Sequence, residues 1–140
     1  MRRPGFTLFE LLVVLTITGI LLALAVPRFA VASDQAAVRA ALGDLAAAFS
    51  AARQTAILRR APVTITLDTT DGTVEVRASG RLVLRRAITG VFGVGLSSNR
   101  DTAVYDPRGL GHGLSNLTVT VTRGQIVDTL TMSRLGRVKW

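Results

Sequence analysis

Few side chains in this sequence are equipped for covalent or metal chemistry. Cysteine is absent and His112 is the only histidine in 140 residues. That excludes a disulfide framework, a thiolate metal site, a multi-histidine zinc site and a His/Cys catalytic pair. His112 sits in Gly109-Leu110-Gly111-His112-Gly113, with Ser115 and Asp106 nearby. A catalytic triad needs fixed geometry, which a glycine-rich loop does not provide, so His112 reads as an exposed loop residue. Gly93-Val94-Gly95 and the 109–113 glycines lack the strand–loop–helix setting and the lysine of a phosphate loop. Asp101 and Asp106 lack the ligand spacing of a calcium loop. The expectation is a non-enzyme with no cofactor and no metal.

Charge placement is more informative. The chain carries 17 basic and 9 acidic residues, a formal charge of +8, and Lys139 is its only lysine. Such a balance suits an anionic partner or surface without choosing between nucleic acid, lipid headgroups and an acidic protein. Glu10 stands at the edge of an uncharged apolar run, Leu11 to Val26. A carboxylate within a membrane helix costs on the order of 2–3 kcal/mol and usually has a partner. No Lys or Arg follows within one helical turn. The partner expected is a leader arginine, a new N-terminal amine or a neighbouring molecule. At the other end, Arg137 and Lys139 are two apart and would share one face of an extended strand. Gly136 would let backbone or ligand approach closely, and Trp140 offers a stacking surface. Together these residues could grip single-stranded nucleic acid or a phosphate backbone. The competing reading is a C-terminal strand whose Trp140 packs on the core and whose charges are solvated. Arg59 and Arg60 suit a helix C-terminus, and Arg81 and Arg85 share a strand's polar face.

The elements that position these residues follow from hydrophobic period. Phe6 to Val26 spans 21 residues, roughly 31 Å of helix, enough to cross a bilayer core. Arg2 and Arg3 keep its start cytoplasmic. Three processing routes fit this end: a Sec signal cut after Ala30-Val31-Ala32, twin-arginine export from Arg2-Arg3, or a prepilin leader. Beyond Pro27, Val38, Leu42, Leu45, Phe49, Ala52 and Ala56 recur at spacings of three and four, one buried face of an amphipathic helix. That helix either continues through Pro27 with a kink or starts anew at Ser33 or Asp34, and Pro62 ends it. Period-2 strands then supply its cover. Val63, Ile65 and Leu67 form the first inward face, Val74 and Val76 the second, Leu82 and Leu84 the third. Asp71-Gly72 and Ser79-Gly80 turn them into a meander. Later strands carry Leu117, Val119 and Val121, then Leu130 and Met132. Between Ala87 and Asn116 the pattern weakens, with Val91-Phe92 and Ala103-Val104-Tyr105 as short strands. The expected fold is α+β: a long N-terminal helix, transmembrane then amphipathic, packed on an antiparallel β-sheet domain.

Pro4-Gly5-Phe6-Thr7-Leu8-Phe9-Glu10 resembles the type IV pilin leader motif G-F-T-L-x-E-L. The resemblance implies cleavage between Gly5 and Phe6 by a prepilin peptidase and N-methylation of Phe6. It makes Glu10 the fifth mature residue, pairing with a neighbouring subunit's N-terminal amine. The segments Ala52–Ile57, Tyr105-Asp106-Pro107-Arg108-Gly109 and Ser133-Arg134-Leu135-Gly136-Arg137-Val138 narrow the resemblance to the GspH/FimT family of minor pseudopilins and minor pilins. It implies a leader (1–5), a transmembrane segment (6–26), an exported amphipathic helix (27–61) and a β-rich domain (62–140). The expected place is the bacterial inner membrane, single-pass, with the C-terminal domain in the periplasm or otherwise outside the membrane. The expected partners are other pilin or pseudopilin subunits, prepilin peptidase and inner-membrane lipid. Gly136-Arg137-Val138-Lys139 also resembles the G-R-x-R/K element of FimT-like subunits that bind DNA. The implied role is a GspH-like pseudopilus subunit for type II secretion. Its alternatives are a DNA-binding minor pilin and a Sec-secreted soluble β-domain.

Overall fold

The computed structural model describes residues 7–112 and 116–140. The leader arginines, Gly5, Phe6, Gly113 and Ser115 lie outside the described residues. Contacts divide the chain into two units, Met1–Ser33 and Asp34–Trp140.

Helix α1 runs from Leu8 to Arg59 with Pro27 inside it. The continuous alternative therefore holds, and no new cap forms at Ser33 or Asp34. A proline costs one backbone hydrogen bond, and the alanine- and leucine-rich flanks carry the helix past that loss. In the first unit the helix shows its apolar side chains on every face: Leu8, Leu15, Leu24 and Phe29 are all more than half exposed. In the second unit the predicted stripe is buried, with Leu42, Leu45, Phe49, Ala52 and Ala56 wholly inaccessible. The helix ends in a Schellman arrangement. The Ala61 N–H donates to the Ala56 carbonyl and the Arg60 N–H to that of Ile57, both at 3.3 Å. Arg60 takes the left-handed conformation at φ 51°, and Pro62 prevents continuation.

Strands β1 (Val63–Asp68), β2 (Thr73–Ala78) and β3 (Arg81–Ala87) form the predicted meander. The third strand departs from its expected facing. The β2–β3 register shifts between Val76 and Arg77: Leu84 opposes Val76, while Leu82 opposes Arg77. Val83 is the extra residue of a bulge. The alternation breaks there, and Leu82 turns outward, 52% exposed, while Leu84 packs on the core. The weak stretch resolves into a short helix and three strands: α2 (Ile88–Phe92), β4 (Gly95–Ser98), β5 (Thr102–Tyr105) and β6 (Gly111–His112). The strand expected at Val91-Phe92 is thus the last turn of α2, closed by Gly93 at φ 62°, whose N–H donates to the Thr89 carbonyl. The strand at 103–105 is present. Strands β7 (Leu117–Arg123), β8 (Ile126–Met132) and β9 (Val138–Lys139) complete the chain.

The antiparallel pairs assemble as two sheets, β3-β2-β1-β5-β6 and β4-β7-β8-β9. Their apolar faces meet the α1 stripe in one core that includes Ile65, Val76, Tyr105, Val119 and Leu130.

Candidate assembly site

Glu10 is answered from its own chain. Its carboxylate accepts the Thr7 backbone N–H at 2.9 Å and the Thr7 hydroxyl at 2.9 Å, while the Glu10 N–H donates to the Thr7 Oγ1 at 3.2 Å. This is a capping box, T-x-x-E, closing the first turn of α1. The sequence reading names a leader arginine, the new terminus or another molecule as partner and not Thr7, which supplies these bonds among the described residues. The spacing of three that gives Thr7 away was present in the sequence, on the N-terminal side of Glu10. A carboxylate there also meets the positive end of the helix dipole.

The three downstream motif segments converge at the C-terminal end of α1. Gly109, at φ +76°, backs onto the helix, where an added Cβ would lie 2.8 Å from the Ile57 Cδ1 and 3.0 Å from the Arg53 Nε. Gly136, at φ +70°, backs onto Gly109, where an added Cβ would collide with the Gly109 carbonyl oxygen and lie 3.0 Å from the Tyr105 Cε1. Only glycine fits either place. The loop after β5 is built by Asp106, whose Oδ1 accepts the Arg108 and Leu110 N–H groups at 2.9 and 2.8 Å. The Gly111 N–H donates to the Arg134 carbonyl at 3.0 Å and so ties the two sheets together. Tyr105 is fully buried beneath this junction, and burial pushes its phenol up to about 12, opposed by the Arg53 guanidinium.

The C-terminal residues separate into two roles. Gly136 gives close approach to backbone, namely Gly109, and serves the fold. The Arg137 backbone closes the same turn: its carbonyl accepts the Ser133 N–H at 2.8 Å and its N–H donates to the Ser133 hydroxyl at 3.2 Å. The Arg137 and Lys139 side chains are both exposed, as the two-residue spacing requires, with Val138 packed inward. Trp140 is 59% exposed, so the reading in which it packs on the core is overturned. Thr131 opposes Lys139 in the ladder, and Lys139 and Trp140 border a shallow concavity with Asp128, Thr129 and Thr131.

His112 is exposed on β6 and borders a cavity of about 20 Å³ with Arg100, Thr102, Ser133 and Arg134. That is room for about one water. The Asp106 oxygen that could orient a base is already committed to the loop amides. Among the described residues no three His, Asp or Glu side chains converge on a possible metal position.

A helix with a bare apolar first half, a buried second half and an antiparallel β-domain folded on it defines the class of type IV pilin-like proteins. The family model described as type II transport protein GspH matches residues 41–136, and that of the prokaryotic N-terminal methylation motif matches residues 1–26. The chain belongs to the GspH family and carries a prepilin-type leader. Over 36 residues it is 61% identical to the type IV narrow pilus major component PilA5 of Thermus thermophilus, a match covering 26% of this chain and 31% of that protein. The chain thus matches about a third of the length of that relative. Crystal structures of the type IV minor pilin FimU of Pseudomonas aeruginosa share the fold, with TM-scores of 0.62 and 0.61 at 16% identity. They cover 73% of this chain and 86% and 90% of the FimU chains.

Proposed function

We propose that this chain is a minor subunit of a type IV-like filament, cut between Gly5 and Phe6, N-methylated on Phe6 and anchored in the inner membrane by residues 6–26. The observation that carries this reading is the uncovered apolar surface of α1 from Leu8 to Val31. Such a surface is stable only in lipid or against other apolar helices, and a filament subunit passes from one to the other. Glu10 is the single acid on that surface, and Arg28, just past Pro27, its single base. The bonds of Glu10 to Thr7 hold it while the subunit waits in the membrane, and a neighbouring subunit's amine is a stronger, charged donor. The machine proposed is the pseudopilus of a type II secretion system, supported by the GspH match over the exported part. The partners are other pilin-like subunits, prepilin peptidase and lipid.

Intact-mass analysis of the membrane fraction should find methylated Phe6 at the N-terminus, and Glu10→Ala should insert normally yet lose co-purification with partner subunits. A mature N-terminus at Ser33, or unimpaired co-purification of the variant, overturns the reading.

A second reading is favoured by the exposed Arg137, Lys139 and Trp140: a minor pilin that grips DNA. Replacing Arg137 and Lys139 by alanine would then lower the log–log salt slope of DNA binding by roughly 1.5–2. Replacing Trp140 would cost about 1–3 kcal/mol if it stacks on a base. Arg59 and Arg60 belong to the same end of the domain as Arg137, so Arg85 and Arg86 on β3 are the control.

A further inference from the structure

Arg53 stands at the margin of the buried α1 stripe, one residue past Ala52 and four past Phe49, and Ile57 follows it four residues on, along the same face. Its Nε is buried and meets no acceptor among the described residues. The hydroxyl of Tyr105, whose ring has no exposure and whose phenol lies within the field of Arg53, is likewise buried and without a partner. The ion pairs among the described residues join Asp34, Asp44 and Glu75 to Arg123, Arg86, Arg77 and Arg85, and none of them includes Arg53. Asp106, the acid of the adjoining loop, spends its Oδ1 on the Arg108 and Leu110 amides. Two neighbouring buried donors without an acceptor are costly to keep, and packing alone would be served better by an apolar side chain at position 53.

The surroundings of Arg53 are aliphatic and open. Gly109 lies against it and against Ile57, and Gly136 lies on the Gly109 carbonyl. Leu110 and Leu135, the bonded neighbours of these two glycines, therefore belong to the same corner. Ile57 is 45% exposed, Leu110 37% and Leu135 58%. Arg53 is only partly covered, so its side chain reaches solvent among them. A half-buried arginine ringed by exposed aliphatic side chains has the make-up of an anchor point between proteins. A nucleic-acid backbone is held instead by exposed cations and polar groups.

We propose that Arg53 receives a side-chain carboxylate from a neighbouring, unlike pilin-like subunit, with Ile57, Leu110 and Leu135 as the apolar rim of the contact. The proposal rests on the filament reading and names the chemistry of its partner. A carboxylate supplies the acceptor this corner lacks and takes two guanidinium N–H groups side by side. Rotamer changes are common at interfaces, and a turn of the Arg53 side chain brings its Nε edge to the carboxylate. The aliphatic rim excludes water around the pair and so strengthens it. The partner is unlike this chain because a minor subunit has other subunits for neighbours, and the same corner of a second copy would set arginine against arginine.

The test uses the full-length chain in membranes, co-expressed with each pilin-like subunit that co-purifies with it. Arg53→Met should cut recovery of one of those subunits roughly ten-fold, as truncation of an arginine anchor does. The same variant should unfold in detergent at an unchanged or higher Tm, because the unmet donor is gone. Arg53→Lys should keep only part of the recovery, since a lysine lacks the guanidinium fork. Arg53→Glu should lose the same subunit, and one Asp→Arg or Glu→Arg replacement in that subunit should bring it back. Arg39→Met, at an exposed arginine elsewhere on α1, should change nothing. Full recovery with Arg53→Met, or no rescue by any reversal in the partner, overturns the proposal. A lowered Tm in both Arg53→Met and Arg53→Lys assigns Arg53 to the fold and overturns it too. So does loss of duplex-DNA capture while partner recovery stays intact. Methylated Phe6 and Glu10-dependent co-purification are read on the same samples. Where both hold and Arg53→Met has no effect, the carboxylate site is removed and the filament reading stands.

Discussion

The two halves of α1 are one continuous helix, and they end up in opposite surroundings. Before Asp34 the helix shows apolar side chains on every face, with Glu10 and Arg28 its only charges among the described residues. After Asp34 the apolar residues retreat to one stripe, and polar, charged or small residues such as Arg39, Gly43, Asp44 and Gln54 take the rest. The difference lies in both content and distribution: leucine, valine and isoleucine dominate the first half, alanine and charged residues the second. An all-round apolar helix asks for lipid or other helices, and a striped one asks for a sheet. On the bare half Glu10 is tied to Thr7: among the described residues the helix's own N-terminus supplies its donors.

The comparison breaks most visibly if a charge is placed on each half. Phe49→Asp buries an unpaired carboxylate at a fully inaccessible position, at a cost of several kcal/mol. Its thermal unfolding in detergent should show no cooperative transition. Leu15→Asp, at a position 71% exposed, should leave that transition unchanged and instead weaken membrane retention. A cooperatively folded Phe49→Asp chain would mean that the covered half is not covered.

Next in size is the closure over the covered half's end. Gly136→Ala forces a left-handed alanine into the Gly109 carbonyl and should cost roughly 1–3 kcal/mol or more. Gly80→Ala is the calibration, because Gly80 has φ +78° with nothing within 4 Å of an added Cβ. The gap between the two Tm losses measures the packing alone, and equal losses would reduce Gly136 to a turn residue.

The boundary between the halves comes third. The Arg123 Nε donates to the Asp34 Oδ1 at 2.9 Å and the Arg123 guanidinium to the Phe92 carbonyl at 2.6 Å, with Arg123 about one-third exposed. Arg123→Ala should destabilise the β-domain by about 1–3 kcal/mol. Hydrogen exchange should show the loss concentrated in the first turns after Ser33. A loss spread evenly over the domain would remove the boundary role.

The smallest effect concerns alkaline pH. Tyr105 has a folded pKa of about 12, raised from 10, so its neutral form is favoured in the native state. Its contribution is complete below pH 10 and is lost as pH rises toward 12. Tyr105→Phe should flatten stability against pH within that window. An unchanged slope would assign alkaline unfolding to other groups.

Much of the architecture is legible in the chain because it obeys a simple period. The α1 stripe lands residue for residue, and four of the strands longer than four residues keep their predicted facing. What escapes is what breaks a period. Val83 is an inserted residue in β3, and no alternation rule marks where the insertion falls. The division into two sheets escapes because β1 takes β5 as its second neighbour, across 33 residues that hold β2, β3, α2 and β4. At the candidate site, the exposed pair Arg137 and Lys139 is legible from spacing. The close approach at Gly136 is legible as well, but its partner is not, because Gly109 lies far away in the sequence.

The Asp34–Arg123–Phe92 link has a mechanical meaning. In the filament proposed above, a pull along the N-terminal helix would enter the β-domain at Asp34. There it meets a charge-assisted pair rather than a greasy contact, and Arg123 hands the force to the end of β7, whose ladder with β4 and β8 must shear across many hydrogen bonds at once. The domain is thereby gripped at the point where tension arrives.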